Sequence, residues 1–198
     1  SDASRAYLKK GEVLSLDSML DALLLPSGND AAYVIATNVG RFLAKDSLLD
    51  MEKANEVFIQ AMNDKARSLG AVDSNFRTPD GYDEQGQYTT AYDLALIAKE
   101  ALTHEKICAS VKKEKARNIL ISGEDVTWYN TNKLVKNGSG YYYSYAIGLK
   151  TGTSTEAGRC LVSAAKKEDQ TYVSVIMDAS PEGRWKDSIQ LLKYGIEG

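Results

Sequence analysis

The apolar residues of this chain change their spacing near residue 115, and that change decides which architectures are open to it. Before it they recur at helical intervals. Leu16, Met19, Leu20, Leu23 and Leu24 form one stripe, with Ser15 placed to cap it. Pro26 ends that helix, because the residue before a proline is pushed out of the helical region. A second helix starts near Asn29 or Asp30, where amide and carboxylate side chains suit free backbone N–H groups. It is expected to bury Ala32, Ile35, Ala36 and Val39. A third runs over 47–69, with Met51, Ala54, Phe58, Met62, Ala66 and Leu69 in its stripe and Gly70 closing it. Thr78-Pro79-Asp80-Gly81 reads as a turn, and Thr90 with Asp93 as the capping pair of a fourth helix.

Beyond residue 115 the runs are β-branched and aromatic. Strands are predicted over 118–122, 126–129, 142–149, 159–165 and 171–178, the last two joined by a polar loop over 166–170. A last helix over 182–194 carries Trp185, Ile189 and Leu192. Helices first and antiparallel strands second specify an α+β protein. The expected organisation is one domain over 1–198, with a helical lobe over about 12–115 and a sheet lobe over about 116–198.

Composition removes several function classes. A net charge of −3 argues against a nucleic-acid partner. No apolar run approaches the ~20 residues that span a bilayer. Cys108 and Cys160 stand in no metal-type spacing and are expected as free thiols, their redox state being open. His104 is the only histidine and sits at the seam between two helical patterns, where a surface or capping role is expected. A Ser-His-Asp triad would have to use it. The opening Ser1-Asp2-Ala3-Ser4 has neither Met nor an apolar signal stretch, which reads as a piece cut from a longer precursor.

Two short motifs carry chemistry. Lys150-Thr151-Gly152, followed by Thr153, is expected at the end of the 142–149 strand. Lys150 there can present a fixed cation to a carboxylate, with the two threonine hydroxyls donating to the same group. Gly152 lets a substrate backbone lie close. The Thr153 N–H can face a developing oxyanion, a donor worth about 3 kcal/mol. The alternative reading is a strand entering a Gly-Thr-Ser turn. Ser27-Gly28-Asn29 comes between two helices. Ser27 can relay a proton to a leaving amine, and Asn29 can both donate and accept. The alternative is an interhelical turn built from the usual turn residues.

Taken together, in this order, the two motifs resemble the S-x-N and K-T-G elements of the serine D-alanyl-D-alanine carboxypeptidases, the low-molecular-mass penicillin-binding proteins. The segments around Tyr7–Glu12, Leu25–Ala32, Gly86–Ala95 and Gly148–Gly158 resemble that family too, so the likeness runs from about Tyr7 to Gly195. It implies a β-lactamase/transpeptidase-like fold lacking its N-terminal helix and strands. It implies a substrate that is a peptidoglycan stem peptide ending in D-Ala-D-Ala, inhibition by β-lactams, and no metal or organic cofactor. Ser27, Asn29 and Lys150 would be catalytic. Thr151, Gly152, Thr153 and Arg184 would bind substrate, although a solvated first-turn charge is an equal reading of Arg184.

The family's attacking serine belongs to S-x-x-K, which precedes S-x-N. No such motif precedes Ser27, so the nucleophile is expected outside this chain and the chain by itself is expected to be inactive. Two internal matches, Ser110 with Lys113 and Ser163 with Lys166, follow Ser27 instead. Asn130 and Asn132 fall where the family has Asn-Arg-Asn, but Thr131 replaces the arginine. Tyr141, Tyr142 and Tyr143 are expected as strand residues covering a core.

Competing readings are a β-lactamase or transpeptidase of the same fold, and a non-catalytic peptide-binding module. A β-lactamase needs a deacylating base, for which Glu84 and Glu124 have only position in their favour. The resemblance also implies an extracytoplasmic protein, anchored to the membrane when intact. A sheet without its N-terminal strands is expected to expose an open edge to that missing segment or to another copy.

Overall fold

The computed structural model describes residues 4–198. The opening Ser1-Asp2-Ala3, on which the reading of a cut precursor partly rests, lies outside the described residues.

Helix α1 (Leu16–Leu24) is capped by Ser15, whose Oγ accepts the Ser18 N–H at 3.1 Å. It stops at Leu25, ahead of Pro26, as proline sterics require. Helix α2 (Asn29–Ala44) begins three residues later. Asp30, in its first turn, accepts the N–H groups of Ala6 and Leu8 at 2.8 and 3.0 Å. The Asn29 N–H donates to Ser4 O at 2.9 Å, and Trp128 Nε1 donates to Ala6 O at 3.0 Å. Residues 4–8 are thus fastened beneath the start of α2.

Helix α3 is shorter than the 47–69 expected. It spans Met51–Ser68 because Asp50 takes the cap, accepting the Glu52 N–H at 2.8 Å, while Asp46 holds a preceding turn through Leu48 N–H. Gly40 of α2 meets α3 so closely that a Cβ would stand 1.9 Å from Ala54 O. Since Gly40 faces α3, Val39 is rotated outward and is exposed rather than buried as expected. Helix α4 (Ala91–Ala101) is capped by Thr90, which accepts the Asp93 N–H. His104 takes the N-cap position of α5 (Glu105–Val111).

Strands β1 (Lys115–Ile119) and β2 (Asp125–Tyr129) form a separate antiparallel ribbon. The 118–122 strand expected from sequence is displaced, because residues 120–124 turn the hairpin with Gly123 at φ +86°. The ribbon packs on the helices: Ala116, Leu120 and Trp128 share a core with Ala6, Ala22, Leu25 and Ala31.

The main sheet holds β3 (Ala146–Ser154), β4 (Gly158–Lys167) and β5 (Gln170–Ala179), antiparallel in that order. The first of them starts later and runs further than the 142–149 expected. Residues 142–145 instead turn, with Tyr143 N–H bonded to Leu134 O and Ala146 N–H to Tyr143 O. The ladder with β4 continues to Ser154 opposite Gly158, so Lys150-Thr151-Gly152 lies inside the strand rather than at its end. Helix α6 (Gly183–Glu197) covers one face, where Trp185 and Leu192 pack on Leu161 and Ala165. Leu149 and Ala164 meet Ala98 and Val111 from α4 and α5. Among the described residues β3 and β5 each have one edge without a strand neighbour.

A buried charge joins α1 to α5 and the ribbon. Asp21 is 3% exposed and accepts from Ser110 Oγ at 2.7 Å and from Lys113 Nζ at 2.8 Å to both oxygens. This cluster accounts for the first internal S-x-x-K match: Ser110 is buried and hydrogen-bonded to a carboxylate. In the second, Ser163 is buried on β4 while Lys166 is exposed, as alternation along a strand requires. Asp21→Ala would leave Lys113 and Ser110 unpartnered. It is expected to lower stability by about 3 kcal/mol in urea unfolding, with Asp21→Asn losing less because Ser110 keeps its acceptor.

Candidate active site

The two motifs meet. Ser27 follows Pro26 in the tight link between α1 and α2 and adopts φ +63°, a left-handed conformation uncommon for a residue with a Cβ. Gly28 follows because there is no room for a side chain: a Cβ would lie 2.6 Å from Ala22 O and 2.9 Å from Ala6 Cβ. The turn aims the Ser27 hydroxyl at β3, where its Oγ accepts a hydrogen bond from Lys150 Nζ at 2.5 Å.

Lys150 is aimed by a distortion of its own strand. The register runs from Ala146 opposite Ala165 to Gly148 opposite Ala164, so β3 carries one extra residue. Gly148 has φ +113° and Leu149 has φ +87°, although Leu149 is buried. A Cβ on Gly148 would come within 2.4 Å of Val111 O. The bulge is therefore held between β4 and the end of α5, and Lys150 follows it at once. Its ammonium also donates to Thr151 O at 2.8 Å. Burial without an anionic partner lowers its pKa to about 8.

The remaining residues of the motif face two side chains. Thr151 Oγ1 is 2.6 Å from Thr131 Oγ1. Thr153 Oγ1 accepts from Arg184 Nη1 at 3.0 Å and donates to Gly152 O at 2.8 Å. Arg184 comes from the first turn of α6, and its guanidinium lies 4.3 Å over the Trp185 ring. Its Nε is buried with no hydrogen-bond partner, and among the described residues it forms no ion pair with a carboxylate. Burial, with Arg159 nearby, lowers its proton affinity. Arg184 is half-buried, with its cation against the strand. Asn29 opens α2 beside Ser27, and among the described residues its side chain has no hydrogen-bond partner.

Two features show contacts that the sequence did not reveal. Asp83, in the loop between α3 and α4, accepts from Ser154 Oγ at 2.5 Å and from the Glu156 N–H at 3.2 Å, fastening that loop to the β3–β4 turn. Asn130 and Asn132 are buried supports whose amides bond to α5 and β4. Polar residues with no period mark such contacts only once the chain is folded.

Other expectations are corrected. Tyr141, Tyr142 and Tyr143 belong to the turn before β3; Tyr143 is buried, Tyr141 packs near Trp185 and Tyr142 is exposed. Glu124 pairs with Lys9 at 2.6 Å at the surface beside the ribbon. Glu84 is exposed, with Asp80 and burial helping to raise the pKa of Tyr33, one turn beyond Asn29; burial is the largest cause.

Residues 1–181 match the model of the Peptidase S11 family, described as D-alanyl-D-alanine carboxypeptidase. A D-alanyl-D-alanine carboxypeptidase of Bacillus subtilis is 32% identical over 196 residues, covering 98% of this chain and 46% of that protein. One from Streptomyces sp. is 33% identical over 199 residues, covering 98% of this chain and 65% of the relative. The chain thus spans about half to two thirds of these relatives. The crystal structure of a Streptomyces DD-transpeptidase superposes with a TM-score of 0.88 at 32% identity, covering all of this chain and 73% of that one.

Proposed function

We propose, because this chain belongs to the D-alanyl-D-alanine carboxypeptidase family, that its cleft holds the D-Ala-D-Ala end of a peptidoglycan stem peptide for acyl transfer. The family consists of cell-wall-directed serine penicillin-binding proteins. The chain acts as one transpeptidase-like domain, its helical and sheet lobes forming the walls of the cleft.

The observation that carries the reading is the pair of cations at β3, Lys150 from the strand and Arg184 from α6. Lys150 lies in β3 and Arg184 against it, and among the described residues neither forms an ion pair with a carboxylate. A terminal carboxylate placed by Thr151, Thr153 and Arg184 supplies that charge. The open edge of β3 accepts the peptide backbone as an added strand, with Gly152 permitting close approach.

The attacking serine is that of an S-x-x-K motif, which this chain does not carry ahead of Ser27. Its hydroxyl proton passes to the lysine of its own S-x-x-K motif as its oxygen bonds to the penultimate carbonyl carbon, and the oxyanion that forms is stabilised by the Thr153 N–H. The peptide C–N bond then breaks. Ser27 accepts from Lys150, so its own hydroxyl proton is free to pass to the leaving D-Ala nitrogen. Asn29 holds the peptide carbonyl and the incoming lysine of the nucleophile segment. Water releases the acyl group in a carboxypeptidase, an amine in a transpeptidase. A β-lactam, as a mimic of the D-Ala-D-Ala end, acylates the same serine. The protein acts outside the cytoplasm, anchored when intact, and the free edge of β5 receives a strand from the preceding residues or from another copy.

Labelling with a fluorescent penicillin tests this. The chain extended through its upstream residues is expected to label covalently and to release D-Ala from an acetylated D-Ala-D-Ala peptide. The 198-residue chain is expected to stay unlabelled. Label on the short chain would move the nucleophile into it, and failure of the extended chain to label or release D-Ala would leave only a binding module.

A further inference from the structure

Thr131 is the exposed centre of a segment whose two flanks are built into the protein. Asn130 and Asn132 are 2% and 0% exposed. Asn130 Nδ2 donates to the carbonyls of Val111 and Lys113, each at 2.9 Å, and its Oδ1 accepts the Asn132 N–H at 2.9 Å. Asn132 Nδ2 donates to Ser163 Oγ at 3.2 Å, and its Oδ1 accepts the Leu134 N–H at 3.0 Å. The Thr131 N–H donates to Leu25 O at 3.0 Å, two residues before Ser27. Thr131 is thereby tied to the turn bearing Ser27 through its backbone and to Thr151 through its hydroxyl, at 2.6 Å.

Two hydroxyls at that distance share one proton and leave one free. When Thr131 donates, the Thr151 proton can point into the cleft. Aligned hydroxyls reinforce one another when the chain ends on an anion. A carboxylate on Thr151 therefore selects the arrangement in which Thr131 is the donor, and the buried asparagines keep Thr131 where it can donate.

We propose that Thr131 is a positioning residue that acts through Thr151 to favour ligands ending in a carboxylate over those ending in an amide. This rests on the reading of the cleft as a D-Ala-D-Ala site. The 198-residue chain is titrated by NMR with N-acetyl-D-Ala-D-Ala and with its C-terminal amide. The unmodified chain is expected to prefer the acid. Thr131→Val keeps the shape and removes the hydroxyl, and should weaken acid binding about fivefold, the size of one neutral hydrogen bond, with amide binding unchanged. Thr131→Ser should restore it.

Equal loss for acid and amide in Thr131→Val would make the residue merely structural, and unchanged acid binding would overturn the proposal outright. A chain without acid preference before any substitution would overturn the reading of the cleft and this proposal with it. Should Thr131→Val not fold, the same acid and amide titrations of Thr131→Ala decide between these outcomes.

Discussion

Lys150→Met is expected to weaken binding of N-acetyl-D-Ala-D-Ala about a hundredfold, the loss of a charge-assisted contact at roughly 1.4 kcal/mol per tenfold. The same variant is expected to fold at least as well as the parent. Burial holds the Lys150 pKa at about 8, below its ordinary 10.5. At neutral pH the folded protein carries a proton that its surroundings disfavour, at a cost of about 3 kcal/mol. Between pH 8 and 10.5 the unfolded chain binds more protons than the folded one, so stability should rise with pH there, and Lys150→Met should remove that rise. Ligand affinity should run the other way. An anion favours the charged lysine, so affinity should fall above pH 8, towards tenfold per unit. Thermal unfolding and titration calorimetry across roughly pH 7–10 separate the two effects, and parallel losses of stability and binding would refute this account of Lys150.

Gly148→Ala should be the most damaging single methyl group near the site. The new Cβ would stand 2.4 Å from Val111 O, a backbone atom that cannot turn aside, in a residue at φ +113°. Overpacking and left-handed strain together are expected to remove about 3–4 kcal/mol, read in urea unfolding. Gly138→Ala, also at positive φ but with open space around its Cβ, provides the comparison and should lose only about 1 kcal/mol. Similar losses in both would mean that close packing at Val111 contributes nothing beyond backbone conformation. If β3 slips out of its bulge, Lys150 and Ser27 should separate as well, and ligand binding should disappear with stability.

Much of this architecture could be read along the chain because it rests on local chemistry. Ser15, Pro26, Thr90 and the periodic stripes act within a few residues of themselves, and the helices they mark form where expected. The 142–149 strand is displaced because aromatic Tyr142 and Tyr143 look strand-like, whereas a carbonyl from Leu134 captures the Tyr143 N–H and turns the chain. The start of α3 differs because two aspartates, Asp46 and Asp50, compete with Ser47 for capping. In the cleft the motif residues are recognisable by type and order. The bulge that aims Lys150 depends on Val111 and Ala164, distant in sequence, and so leaves no local mark. The same holds for Thr131, whose partner Thr151 lies 20 residues away, and for Asp21, whose aspartate would pass for an ordinary polar position on α1.

The stitching of residues 4–8 under α2 has a further consequence. Asn29 and Asp30, immediately after the Ser27 turn, draw their backbone and carboxylate partners from Ser4, Ala6 and Leu8. Pull or slack in that short run reaches the serine hydroxyl through only a few covalent bonds. The stretch is a tether: strain in it passes to the Ser27–Lys150 pair, and the smallest fragment able to keep that hydroxyl trained on the lysine starts no later than Ser4.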